Sequence, residues 1–221
     1  PRENPITQTE FIRLLSSIRQ KYKNISESST LDISLSDLEQ YSPVRVSIHG
    51  LENIKRYCRS DSLDEITDIT YMEKQNYINP KFPSVVFRPI VDFNYNFRIN
   101  IKSEEYLEVN DNVVQNILSA WKYSKKKFRY KKRYSFITND NLFRIDLTSV
   151  KSTNYKESFK SFLESNILKN KESYELEIEY IGSNKINDEF PIDKFKEKFY
   201  ADKENIEKEL SDKFKAVATD W

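Results

Sequence analysis

The stretch Phe128-Arg-Tyr-Lys-Lys-Arg-Tyr-Ser-Phe136 decides the fold. Read with a period of two, it puts Phe128, Tyr130, Tyr134 and Phe136 on one side. Arg129, Lys131, Arg133 and Ser135 fall on the other. That is a strand with one apolar and one charged face. A second stretch, Tyr174-Glu-Leu-Glu-Ile-Glu-Tyr180, repeats the pattern with the opposite sign, Glu175, Glu177 and Glu179 alternating with apolar and aromatic residues. Between the two, Phe143, Ile145 and Leu147 alternate with Arg144, Asp146 and Thr148.

Working outward, the same alternation marks strands at Leu31, Ile33 and Leu35, at Val44, Val46 and Ile48, and at Phe97, Ile99 and Ile101. Residues 84–93 predict a further strand, interrupted or ended at Pro89. Helical spacing appears over 7–22, where Thr7 and Glu10 have the spacing of a capping box and Phe11, Leu14, Leu15, Ile18 and Tyr22 follow. Shorter helices are predicted over 51–58, 113–121 and part of 158–168. A Lys/Glu-rich helix is predicted over 192–215. Many alternating strands joined by short helices predict an antiparallel-rich α+β domain.

Composition narrows the chemistry. In 221 residues, 36 Lys and Arg balance 35 Asp and Glu, which argues against a simple basic nucleic-acid-coating protein. Aromatics at 14% argue for a folded core rather than disorder. Gly50 and Gly182 are the only glycines, too few for a glycine-rich phosphate loop. One cysteine, Cys58, and one histidine, His49, exclude an internal disulfide and a Cys- or His-cluster metal site. No apolar run approaches the roughly 18 residues of a membrane-spanning helix. His49 reads as a turn or surface residue and Cys58 as a lone buried thiol. The run Lys125-Lys-Lys127 reads as a solvated loop able to steer an anion.

The charged faces carry the argument. Like charges two residues apart on a strand sit roughly 7 Å apart and repel unless something neutralises them. Three carboxylates in a row call for a metal ion or opposing cations; three cations call for an anion such as a phosphate. Closing the strands into a barrel of about eight, charged faces inward and apolar faces under helices, satisfies both. Carboxylates on one wall suit a hard divalent cation, and Arg and Lys on the other suit phosphate oxygens. The competing interpretation is a half-exposed sheet whose charges pair across strands.

The three segments in series, Arg129 to Phe136, Phe143 to Lys151 and Tyr174 to Tyr180, resemble the metal-dependent RNA triphosphatases of mRNA capping. These are the triphosphate-tunnel enzymes of fungi, protists and large DNA viruses. The likeness runs over residues 30–181 and is greatest to the N-terminal domain of giant-virus capping enzymes of the mimivirus type. It implies an antiparallel eight-stranded tunnel that binds the 5′-triphosphate end of RNA, or an NTP. It also implies removal of the γ-phosphate with Mg2+ or Mn2+, the first step of cap formation.

In that resemblance Glu175, Glu177 and Glu179 hold the metal. Arg129, Lys131 and Arg133 contact the triphosphate. Arg144 and Asp146 complete the catalytic set, Asp146 orienting a basic side chain or a water. Arg45, Arg98 and Lys102 are further substrate-binding positions on the basic wall. The resemblance implies a viral protein acting inside the cell, in a virus factory or virion, with a guanylyltransferase domain or subunit as partner and no membrane.

One departure stands out. The family's Glu-x-Glu strand should precede the Thr7 helix, yet Pro1-Arg-Glu-Asn-Pro5 carries a single acidic residue, Glu3. The expectation is a single tunnel domain over 1–221 lacking its first strand. Its metal site would be incomplete, and the helical segment 192–221 would lead to a further domain. Two alternatives stay open. One is a different tunnel enzyme acting on triphosphates or polyphosphate; the other is a non-catalytic triphosphate-binding module.

Overall fold

The computed structural model describes residues 5–22, 25–36, 44–76, 78, 89–92, 97–100, 102–139, 141–154 and 156–181. The predicted helix over 192–215 and residues 84–88 and 93 of a predicted strand lie outside them. In chain order the elements are α1 (Gln8–Lys21), β1 (Ile25–Leu35), β2 (Val44–His49), α2 (Leu51–Ser60), β3 (Ile69–Asn76), β4 (Ile90–Asp92) and β5 (Phe97–Ile99). They continue with β6 (Lys102–Leu107), α3 (Asn112–Ala120), β7 (Lys126–Ile137), β8 (Phe143–Ser152), α4 (Phe162–Ser165), a 3₁₀ turn (Ile167–Lys169) and β9 (Ser173–Tyr180).

Seven strands form one antiparallel sheet in the order β6-β3-β2-β1-β7-β8-β9, curled into a half-barrel. The predicted α+β antiparallel architecture with helices on one side is what folds. Among the described residues the main sheet has seven strands, and β4 and β5 pair separately as a two-stranded sheet. One predicted strand needs correction. The strand expected over 97–101 ends at Ile99, and Lys102 opens β6 in the other sheet, so Arg98 and Lys102 do not share a face. The alternation ran through Asn100, but asparagine favours turns over ladders, and the chain changes partners there. The strands β3 and β6 carry weaker alternation and gave no comparable signal.

The apolar side chains of the central strands point to the helices. Leu31, Ile33, Val46, Ile48 and Phe128 pack with Ile54 and Tyr57 of α2, Val114 and Ile117 of α3, and with Trp121, Phe162 and Ile167. The helix α1 covers a second apolar area. Its Phe11 ring meets Tyr134 and Tyr174 at centroid distances of 6.5 Å and 4.8 Å.

Local chemistry explains the starts of these helices. Thr7 Oγ1 accepts from Glu10 N at 3.3 Å, and Glu10 Oε2 accepts from Thr7 N at 2.7 Å. That is the predicted capping box, satisfying two otherwise orphaned donors. Gly50 stands at the N-cap of α2 with φ of 82°, a conformation a side chain disfavours. The helix face thus fixes which side of every strand is apolar, and by the period of two it fixes the opposite, charged side.

Candidate functional site

The site is built on β7 and the strands either side of it. Arg129, Lys131 and Arg133 leave β7 on the face away from the helices. Their register partners are Asp32, Thr30 and Ser28 on β1 and Ser152, Val150 and Thr148 on β8. Beyond β8, Glu175, Glu177 and Glu179 of β9 stand opposite Thr148, Asp146 and Arg144. Beyond β1, Ser47 of β2 stands opposite Asp32, with Arg45 one pleat further along. The two single-sign strands are therefore separated by β8, and the cations reach across it.

Two buried aspartates anchor the arrangement. Asp146 has no exposed surface, and its Oδ2 lies 3.1 Å from both Arg133 Nη1 and Arg144 Nε. Arg133 also donates from Nε to Thr148 Oγ1 at 3.2 Å and extends Nη2 to 3.6 Å from Glu177 Oε2. Arg144 pairs with Glu179. Burial alone would lower the Arg144 pKa, but Asp146 and Glu179 outweigh it and raise the guanidinium further.

Asp32, on the other side of β7, lies 2.7 Å from Lys131 Nζ and 3.6 Å from Arg45 Nη1. At the strand's end Arg129 Nη2 meets Glu175 Oε2 at 2.5 Å. Burial pulls the Lys131 ammonium below the usual lysine range. The Asp32 carboxylate opposes that shift, and Arg133 and Arg45 add to it.

In this network Arg45, Arg129, Lys131, Arg133 and Arg144 face Asp32, Asp146, Glu175, Glu177 and Glu179, one carboxylate for each cation. Among the described residues, three buried polar atoms on it have no hydrogen-bond partner: the Asp146 Oδ1 acceptor, the Arg129 Nε donor, and Asp32 Oδ2, which is held in its ion pairs with Lys131 and Arg45. The arrangement presents guanidinium and ammonium donors that take phosphate oxygens, beside carboxylate oxygens that take hard cations. No group of three His, Cys, Asp or Glu side chains converges on a common point among the described residues. The three glutamates instead line up along one face, each against a guanidinium.

Of the residues singled out in the sequence, Arg45, Arg129, Lys131, Arg133, Arg144, Asp146, Glu175, Glu177 and Glu179 come together on this face. Arg98 is exposed on the separate two-stranded sheet. Lys102 opens the edge strand β6, where it bonds Asn76. His49 ends β2 with a ring nitrogen 2.8 Å from Thr70 Oγ1. Cys58 is half-buried against the core, and burial, with Asp61 nearby, pushes its thiol up to about 11, leaving it a poor nucleophile at neutral pH. Sequence reasoning missed Asp32, Ser47 and Thr148. Asp32 was visible only as a polar residue in an alternating strand, and nothing local distinguishes a buried aspartate from a solvated one.

No family model matches the chain, and no match is found among curated proteins. Among solved structures the chain is similar to a monoclinic crystal form of the mimivirus capping enzyme triphosphatase. The identity is 21%, the match covers 90% of this chain and 84% of that one, and the TM-score is 0.58. At that identity the likeness carries the fold.

Proposed function

We propose that the chain is an RNA 5′-triphosphatase domain, hydrolysing the γ-phosphate from triphosphate-ended RNA or an NTP with a divalent cation, the first step of mRNA capping. The observation that carries the proposal is the partly buried Lys131–Arg133–Arg144 cluster on the face away from the helices, clamped by Asp32 and Asp146. The fold it shares with a capping enzyme triphosphatase supports the proposal.

The charge balance favours a substrate that brings its own cation. Cations and carboxylates match one for one here, so a bare polyphosphate would add uncompensated negative charge next to Glu175, Glu177 and Glu179, and a metal–triphosphate complex adds far less. The donors present suit that cation chemically. Glu177 and Glu179 offer carboxylate oxygens, and Asp146 Oδ1, on the residue in register with Glu177, is buried and has no hydrogen-bond partner among the described residues. Glu177 and Glu179 are the residues that would hold it, with Glu175 further along the strand. When bound, such a cation draws developing charge from a phosphate oxygen.

The chain's own residues perform the remaining steps. Lys131 and Arg45 bind phosphate oxygens from the β1–β2 side, and Arg129 and Arg133 bind along β7. Arg144 turns part of its guanidinium to the same face. Held in place before the substrate arrives, these donors stabilise the charge that builds as water attacks the γ-phosphorus in line. Little base readout is expected, since phosphates carry no sequence information.

The direct test is release of phosphate from triphosphate-ended RNA by the purified domain, with magnesium or manganese and with chelator. Release that depends on the metal supports the proposal. An absence of release with magnesium, manganese and cobalt, in a chain that also carries an upstream Glu-x-Glu strand, would falsify it. A second interpretation, a non-catalytic triphosphate-binding module, is favoured by the pairing of each glutamate with a guanidinium. Binding that persists in chelator without turnover selects it.

A further inference from the structure

The proposed function gives phosphate-binding roles to the cations of the polar face and names the buried aspartate on β1, Asp32, only as their counter-ion. Asp32 is 4% exposed, although its neighbours along the strand, Leu31 and Ile33, fill the core on the opposite face. Ser47 Oγ, itself buried, donates to Asp32 Oδ1 at 2.9 Å. The other carboxylate oxygen lies 2.7 Å from Lys131 Nζ and 3.6 Å from Arg45 Nη1. A buried ion pair of this kind contributes little to stability compared with an apolar residue of similar size. It does fix where two cations stand.

We propose that Asp32 is a positioning residue of the anion site: oriented by Ser47, it holds the Lys131 ammonium and the Arg45 guanidinium side by side on the face where a polyphosphate binds. The inference takes its ligand class from the proposed function. Both cations keep donors for the ligand, since an ammonium has three N–H groups and a guanidinium five. Asp146 acts in the corresponding way on Arg133 and Arg144, so the anion site has two clamps, one on each side of β7.

Asp32 also favours the charged form of the lysine. The groups facing Lys131 are Asp32 from β1, Arg45 from β2, and Arg129 and Arg133 on its own strand. His49 of β2 lies in the same cross-strand row through Thr30. From β8 come the uncharged Val150 and Thr148. Of these, Asp32 alone favours the ammonium, against burial and neighbouring cations that disfavour it.

The experiment measures binding of tripolyphosphate to the chain by calorimetry as pH is raised toward the ordinary lysine pKa of about 10.4. In Asp32→Asn, the pH at which affinity falls away moves down by about one unit relative to wild type. In Asp32→Asn with Lys131→Arg that fall disappears, because a guanidinium stays charged. A fall at the same pH in wild type and Asp32→Asn overturns the inference, as does a wild-type chain that binds no tripolyphosphate. Asp32→Glu, which retains the charge but displaces it by one methylene, keeps the inference testable if Asp32→Asn does not fold. It binds about tenfold more weakly at neutral pH, and affinity equal to wild type overturns the inference. Phosphate release from triphosphate-ended RNA, assayed alongside, separates the two proposals. Binding without turnover, in a chain that also carries an upstream Glu-x-Glu strand, removes the proposed activity and leaves the assignment of Asp32 standing.

Discussion

Asp146 sits fully buried between two guanidinium groups, with one carboxylate oxygen shared by both and the other without a hydrogen-bond partner among the described residues. Removing its charge leaves Arg133 and Arg144 facing each other with only the half-exposed Glu177 and Glu179 as counter-charges. Asp146→Asn is expected to cost about 3 kcal/mol of stability, toward the low end for breaking a buried pair because both arginines remain partly solvated; urea denaturation measures it. The glutamates differ. Glu175, Glu177 and Glu179 are about half exposed, so Glu177→Ala and Glu179→Ala should leave the midpoint of unfolding nearly unchanged. Under the proposed hydrolysis each should nonetheless abolish metal-dependent phosphate release, and full retention of the rate by either removes the metal assignment. The neighbours Lys131 and Lys132 make the cleanest comparison. Lys131 stands on the charged face, while Lys132 lies on the helix side, 2.9 Å from Glu27 and 5.5 Å from the Tyr134 ring centroid. Lys131→Ala should cut turnover by about a hundredfold or more, as loss of a preorganised donor does. Lys132→Ala should stay within about twofold, and equal losses would show that the face assignment is wrong.

At the scale of elements, β7 is a ruler that assigns each side chain to one of two environments. Its alternation, legible in the bare sequence, survives intact because a slip of one residue would expose Phe128 and Phe136, which are buried under the helices. The helix α1 is the other element whose start was legible. Glu10 is held below its ordinary pKa, first by the Thr7 backbone N–H and next by the Thr7 hydroxyl. A depressed carboxylate stabilises the fold above its unfolded pKa, and that contribution fades as pH falls through the folded value. Thr7→Ala should therefore cost about 1 kcal/mol at neutral pH. The gap between variant and wild type should narrow as pH is lowered below the ordinary glutamate value of 4.5, as read from denaturation midpoints across pH. A gap that stays constant to low pH would assign the cost to the hydroxyl's acceptance from Glu10 N rather than to its donation to the Glu10 carboxylate. The strands β3 and β6 were not legible. In β3 both Tyr71 and its neighbour Met72 are buried, which blurs the period of two, and β6 is an edge strand with few buried side chains to mark a face.

For the molecule as a whole, one apolar cluster ties β1, β2 and β7 to α2 and α3, and Phe128 is central to it, in ring contact with Tyr57 and Phe162. Phe128→Ala should cost about 3–5 kcal/mol, measurable by thermal or urea unfolding. A cost below about 1 kcal/mol would place the stabilising core elsewhere.

The sequence by itself determined the sides. Alternation with a period of two separates apolar from charged faces wherever a strand forms, and single-sign runs announce that some other strand must supply the opposite charge. Only the tertiary structure decided which strand supplies it. Ion pairs between β7 and β9 span an intervening strand, and the pairing of Lys131 with Asp32 joins residues almost a hundred positions apart. Burial, which turns an ordinary aspartate into a clamp, depends on what lies above and beside it. No local pattern encodes that, because electrostatic and packing energies depend on distance in space rather than separation along the chain.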